Sequence, residues 1–208
     1  SQGKIGTGWG SFDAMAGGGP VSTGARVFQP GAGDVDGDTL RDVLASSSTG
    51  AVTVYRGNGK GGWLGTAAAA QFADAGGRTI TLGDFTGDGL PDLARITAAG
   101  QFTLVPGRAD GTFVAGAAIG TGWSAMTLVS GGIDFDGDRF VDVIARDAAG
   151  DLRLYRGNGV GGFQQGTGTL IGARWTGVTA LFSVGDFTGD RRVDLIALTA
   201  TGALMLYP

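Results

Sequence analysis

Four short loops carry most of the acidity of this chain. They are Asp34-Val35-Asp36-Gly37-Asp38 with Asp42, Asp84-Phe85-Thr86-Gly87-Asp88 with Asp92, Asp134-Phe135-Asp136-Gly137-Asp138 with Asp142, and Asp186-Phe187-Thr188-Gly189-Asp190 with Asp194. Each places Asp at position 1, Asp or Thr at 3, Gly at 4, and Asp at 5 and 9. Oxygen-only donors at alternate positions of a tight loop suit a hard cation of calcium size. Glycine at position 4 lets the backbone turn sharply enough for positions 1, 3 and 5 to face one point. Position 7 would add a main-chain carbonyl, from Leu40, Leu90, Phe140 and Arg192. The expected ligands are therefore Asp34, Asp36, Asp38, Leu40 and Asp42, then Asp84, Thr86, Asp88, Leu90 and Asp92. In the second half of the chain they are Asp134, Asp136, Asp138, Phe140 and Asp142, then Asp186, Thr188, Asp190, Arg192 and Asp194. Up to four Ca²⁺ ions follow, one per loop. No loop has Glu at position 12, so none is an EF-hand.

The loops hold 14 of the 19 acidic residues, all of them Asp. Without a cation, three or four carboxylates so close would repel one another. Four bound Ca²⁺ would take the formal charge from -4 to +4. The competing structural reading is a set of Asp-Gly turns that cap strands through Asx hydrogen bonds.

The rest of the composition narrows the chemistry. The 208 residues include no His and no Cys. That excludes disulfides, thiolate or imidazole metal sites, Ser-His-Asp triads and Cys-His dyads. Only Asp13, Asp74, Asp110, Asp147 and Asp151 lie outside the loops. No general-acid, general-base or nucleophile set can be assembled from them, so an enzyme is not expected. A pI near 4.6 disfavours a phosphate-backbone partner. No apolar stretch reaches membrane-spanning length, and the first ten residues carry no signal-peptide pattern.

Internal repetition sets the architecture. The first Asp recurs at intervals of 50, 50 and 52 residues, and a glycine follows it by 16 positions each time, at Gly50, Gly100, Gly150 and Gly202. An apolar run precedes each glycine and an alternating run follows it, as in Val52-Thr53-Val54-Tyr55 and Leu152-Arg153-Leu154-Tyr155. Glycine is 43 of 208 residues and helix formers are scarce, so these runs read as hairpin strands. With one run before each loop and one more carrying Ile119 or Ile171, each unit of about 50 residues has four strands, the size of a propeller blade. The expected fold is all-β: one domain, 1–208, a β-propeller of four four-stranded blades. The segment Ile5-Gly6-Thr7-Gly8-Trp9 matches Ile119 to Trp123 and Ile171 to Trp175, and nothing like it follows Tyr207. The N-terminal strand is therefore expected to pair into the last blade and close the ring, with a loop around Gly17 to Pro20. The alternative is that four repeats form half of a larger ring.

The pattern D-x-[DT]-G-D-x-x-x-D, over nearly the whole chain, resembles the FG-GAP or VCBS repeats of integrin-α-type propellers and of propeller modules on secreted bacterial enzymes. The resemblance implies calcium held within each blade by Asp34, Asp36, Asp38, Asp42 and their counterparts, with weaker sites at the Thr86 and Thr188 loops. It also implies a recognition module or spacer in an extracellular, secreted setting.

For recognition, Trp9, Trp123 and Trp175 occupy one repeated position, where the second repeat has Ala73, counted back 11 residues from its Asp loop. Indole faces stack on sugar rings, so carbohydrate is the expected ligand; a protein of a larger secreted assembly is the alternative. The competing reading of the indoles is packing between blades. Exposure decides between them, and under packing another side chain, Phe72, should fill the Ala73 junction.

Overall fold

The computed structural model of the chain describes residues 14–15, 26–29, 33–47, 49–74, 76–164 and 166–208. The Ile5–Trp9 segment, its pairing into the last blade, Asp13 and the Gly17–Pro20 loop lie outside these residues.

Among the described residues, sixteen strands form four sheets. The first contains β1 (Ala14–Met15), β2 (Arg26–Gln29), β3 (Val43–Ser47), β4 (Ala51–Gly57) and β5 (Trp63–Gln71). The second has β6 (Arg78–Gly83), β7 (Asp92–Ile96), β8 (Phe102–Val105) and β9 (Ala118–Gly120). The third has β10 (Met126–Ile133), β11 (Asp142–Asp147), β12 (Leu152–Tyr155) and β13 (Thr169–Gly172). In the fourth, β14 (Val178–Gly185), β15 (Asp194–Thr199) and β16 (Leu204–Tyr207) stand alone, without a fourth strand among the described residues. Strands from β2 onward pair antiparallel with their sequence neighbours in each sheet. The first sheet departs from the expected four strands, because β1 adds to it in parallel, Ala14 opposite Val27.

The Asp loops join the first and second strands of every blade. Strand β10 lies against both β6 and β14, so the strands that enter the loops of these three blades face one another across the blade boundaries. This is propeller-like geometry. A closing contact of β14 with β2 is not among the described pairings.

The apolar core lies between blades. One cluster joins Val35, Leu44, Val52, Val54 and Ala69 to Leu93 and Val105 of the second blade. The next joins Ile80, Leu82, Phe85 and Phe102 to Trp123, Val129, Val143 and Tyr155. A third joins Leu128, Ile144, Leu152 and Leu154 to Val178, Leu181 and Leu195. The alternating strands supply one face to each neighbour. On the fourth blade that outward face is open: Phe187 is 66% exposed, where its counterpart Phe85 is 1% exposed.

Two arginines tie blades together. Arg78 of β6 donates to the carbonyls of Trp123 and Met126. Arg146 of β11 donates to those of Trp175 and Val178. Both sets of carbonyls belong to a short 3₁₀ turn and the residue after it, Trp123–Ala125 in one case and Trp175–Gly177 in the other. These are buried or half-buried polar groups satisfied across a blade boundary.

Candidate functional site

The four Asp loops share one hydrogen-bond scheme. At position 1, Asp34 accepts the backbone N–H of Gly37, Asp38 and Thr39 at 2.7–3.1 Å. Asp84 accepts the same three bonds, and Asp134 and Asp186 accept those from positions 4 and 6. Glycine at position 4 has φ between +78° and +84° in all four loops, as the tight turn requires. At position 5, Asp38, Asp88, Asp138 and Asp190 each accept the N–H of the position-7 residue, Leu40, Leu90, Phe140 and Arg192.

Position 9 is the anchor. Asp42, Asp92, Asp142 and Asp194 are all buried, at 0–7% exposure. One oxygen accepts the N–H of position 2, from Val35, Phe85, Phe135 or Phe187. In the first three blades the other oxygen accepts a glycine N–H at the end of the third strand, from Gly57, Gly107 or Gly157, at 2.9–3.0 Å. Only glycine fits there. A Cβ at Gly57, Gly107 or Gly157 would collide with the carbonyl of Arg41, Pro91 or Val141. Sequence reasoning missed these glycines; the signal that could have found them is the constant interval of 15 residues from the position-9 Asp. Burial pushes the Asp92 carboxyl up. Asp142 is pushed up to about 6, first by burial, with Asp136 and Asp138 adding repulsion.

Carboxylates converge most closely in two loops. One oxygen each of Asp34, Asp36 and Asp42 lies within 4.8 Å of the others, and Asp134, Asp136 and Asp142 do the same. Hard oxygen donors at this spacing fit a calcium-like cation, because each carboxylate keeps lone pairs beyond those its N–H partners use. Asp38 and Asp138 stand outside these triads. In the second loop the buried Thr86 hydroxyl has no hydrogen-bond partner beside Asp92. In the fourth, Thr188 reaches Asp194 at 3.4 Å. Arg56 Nε lies 2.8 Å from Asp36 Oδ2 as an ion pair without hydrogen-bond geometry, and Arg156 Nε donates to Asp136 Oδ2.

The Asp residues outside the loops are engaged locally. Asp74 pairs with buried Arg95 at 3.0 Å, and Asp147 accepts the N–H of Asp151 across a hairpin turn. Asp110 accepts from Thr112.

The indole positions divide. Trp123 is 4% exposed, stacked on Phe163 at 5.7 Å and tilted against Phe102 and Tyr155. The expected sugar platform does not hold at Trp123: the ring fills the wedge between two blades. The second-repeat counterpart is Phe72 rather than Ala73. The N–H of Phe72 donates to Gly50 just as Trp123 does to Gly100 and Trp175 to Gly150. Phe72 sits 12 residues before its Asp loop, so counting back 11 lands one residue late. It packs against the first core cluster, with the Arg95 guanidinium 5.0 Å from its ring.

Trp175 is only half-buried. It leans on Tyr207 with centroids 4.4 Å apart, matching the Trp123–Tyr155 pair at 4.6 Å. Among the described residues no aromatic side chain takes the place beside it that Phe163 takes beside Trp123. A cleft of about 430 Å³ lies there, lined by Arg174, Trp175, Val178, Thr199, Thr201 and Tyr207. Trp9 lies outside the described residues.

The FG-GAP-like repeat family matches residues 34–94 and 134–197, more than half of the chain, with an Asp loop opening each matched segment. The chain belongs to this family. A crystal structure similar to this FG-GAP-like module is that of the BP39L lectin from Burkholderia pseudomallei, at 18% identity and a TM-score of 0.57. The match covers 88% of this chain and 51% of that one, so the module spans about half the length of the lectin. The likeness is one of fold. No curated protein matches the module. FG-GAP-like modules are usually non-catalytic, and no helix among the described residues is long and apolar enough to cross a membrane.

Proposed function

We propose that this FG-GAP-like module is a non-catalytic, calcium-stabilised recognition domain that acts outside the cell and binds carbohydrate on cell or wall surfaces. Calcium occupies the two Asp triads, and the Thr86 and Thr188 loops complete a set of up to four ions. Residues 1–208 act as one propeller unit, with Ile5–Trp9 supplying the fourth strand beside β16.

One observation carries the ligand assignment. Trp175 keeps part of its ring open on a cleft of about 430 Å³, beside Tyr207 and with Arg174, Thr199 and Thr201 at hand. An aromatic face flanked by hydroxyl and guanidinium donors suits a sugar ring and its hydroxyls. That the fold neighbour is a lectin supports the same reading. A glycan array on calcium-loaded protein tests it, followed by calorimetry on the best ligand. Binding by wild type and loss in Trp175→Ala is the expected result; no glycan retained, or binding unchanged in the variant, overturns it.

A second reading has its own observation. Leu204, Met205, Leu206 and Tyr207 of β16 are 38–67% exposed, an apolar strand whose outer edge pairs with no strand among the described residues. Such an edge suits docking by strand addition to a protein of a larger secreted assembly. Met205→Lys should then abolish capture of that partner and leave glycan binding intact.

A further inference from the structure

The four loops fall into two alternating classes. Position 3 is Asp36, Thr86, Asp136 and Thr188 in chain order. The residue 22 positions after the first Asp is Arg56, Pro106, Arg156 and Pro208. Asp thus travels with Arg, and Thr with Pro. In space the travelling pair is in contact: Arg56 Nε lies 2.8 Å from Asp36 Oδ2, and Arg156 pairs with Asp136 through the same atoms. The charges balance as well. Loops with Asp at position 3 have four ligand-position carboxylates and one paired arginine. Loops with Thr have three carboxylates and no such arginine. Counting only the ligand-position carboxylates and the paired arginine, both classes come to three net negative charges; Arg41, Arg139, Arg191 and Arg192 within the loops lie outside that count.

We propose that Arg56 and Arg156 are built-in counter-cations of the first and third loops, holding the third carboxylate of each triad and setting how tightly that loop takes a divalent cation. The inference rests on the calcium reading for its second half only. In the metal-free protein the guanidinium offsets the extra carboxylate, so the loop keeps its shape without an ion. When an ion enters, Asp36 or Asp136 is shared between it and the arginine, and the arginine's charge opposes binding. The second and fourth loops have neither the extra carboxylate nor an arginine at the position of Arg56 and Arg156. The arginines are about 41–43% exposed, so they can swing off their aspartates into water.

Two measurements on one set of full-length variants test this. The set is Arg156→Ala, Asp136→Thr, and the pair Asp136→Thr with Arg156→Pro, which installs the second repeat's solution in the third. In both Arg156 and Pro106 the backbone carbonyl accepts from the strand that follows, Gln164 N–H in one case and Val114 N–H in the other, so the exchange keeps that bond. In chelator, Arg156→Ala should lower the melting temperature, and the paired exchange should restore most of the loss. In calcium titrations followed by calorimetry, Arg156→Ala should tighten one site about fivefold or more at low salt, with the gain fading at high salt. Equal melting in chelator together with unchanged or weaker calcium affinity overturns the proposal. A wild type that takes up no calcium would sink the calcium reading alone, and the chelator melts would still decide the counter-cation role.

Discussion

Replacing Asp92 by Asn separates two jobs that an aspartate at position 9 could hold. Its carboxylate is fully buried and accepts three backbone bonds, from Phe85 and Thr86 on one oxygen at 2.8–2.9 Å and from Gly107 on the other at 3.0 Å. Asn keeps one oxygen. Aimed at Phe85 and Thr86, it turns its NH₂ toward the Gly107 N–H, donor against donor. A buried N–H left unpaired costs about 1–3 kcal/mol. The two surviving bonds lose their charge assistance and weaken by roughly half, about 1 kcal/mol together. Burial of the charge, which pushes this carboxyl up, is relieved by Asn and offsets part of that loss. The net loss is about 1–3 kcal/mol, or about 2–12 °C in melting temperature for a chain of this size. The assay is a thermal melt in chelator, where no ligand role can contribute. Asp88→Asn, at an exposed position with one local bond, serves as control and should shift the melt by about 1 °C or less. If Asp92→Asn melts with wild type in chelator, the anchor role is refuted and position 9 serves the metal alone.

Trp123→Ala should cost about 3–5 kcal/mol, as for other buried aromatic truncations, while Trp175→Ala, at a half-open position, should cost clearly less; paired melts read the difference. Gly157→Ala should destabilise by several kcal/mol, because a Cβ meets the Val141 carbonyl and the displaced N–H abandons Asp142; denaturant unfolding measures it, and a neutral result would remove the close-approach argument. In chelator, Asp142 holds its proton more tightly when folded, at about 6 against 3.8, so the folded state binds the extra proton between those values. Its contribution therefore falls as pH rises from about 4 to 6, by at most about 3 kcal/mol. Melts across that range should show this fall in wild type and lose it in Asp142→Asn; an unchanged slope would contradict the assignment.

The loop spacing and the glycine 16 residues on were enough to place each loop between a blade's first two strands, because metal loops and hairpin turns leave fixed intervals. The position-4 glycines were legible for the same reason. Position 9 was read as a ligand, yet its geometry is first that of a backbone anchor, since a carboxylate pointing inward looks the same in sequence as one pointing at an ion. The Arg56 and Arg156 pairs were hidden because partners 20 residues apart carry no local signature. Phe72 was rightly named as the side chain that would fill the second junction under packing, while the count that made Ala73 the Trp counterpart fell one residue late, because a connection one residue longer breaks a count made from the wrong end. At Trp123 and Trp175 one residue type at one repeat position has two environments, set by whether a following blade covers it. Periodicity cannot encode that difference.

Because the apolar clusters span neighbouring blades, a blade is held by its junctions rather than by an interior of its own. Protection against amide exchange should accordingly be a property of position in the row. The second and third blades, with a packed junction on each side, should open last. The fourth, with Phe187 and β16 exposed on a side that no other described strand covers, should exchange early and in its own cooperative step, as nearest-neighbour coupling in repeat arrays requires. Any molecule that settles on that outer side, sugar or protein, would then be felt as slowed exchange in β14 to β16 before anywhere else.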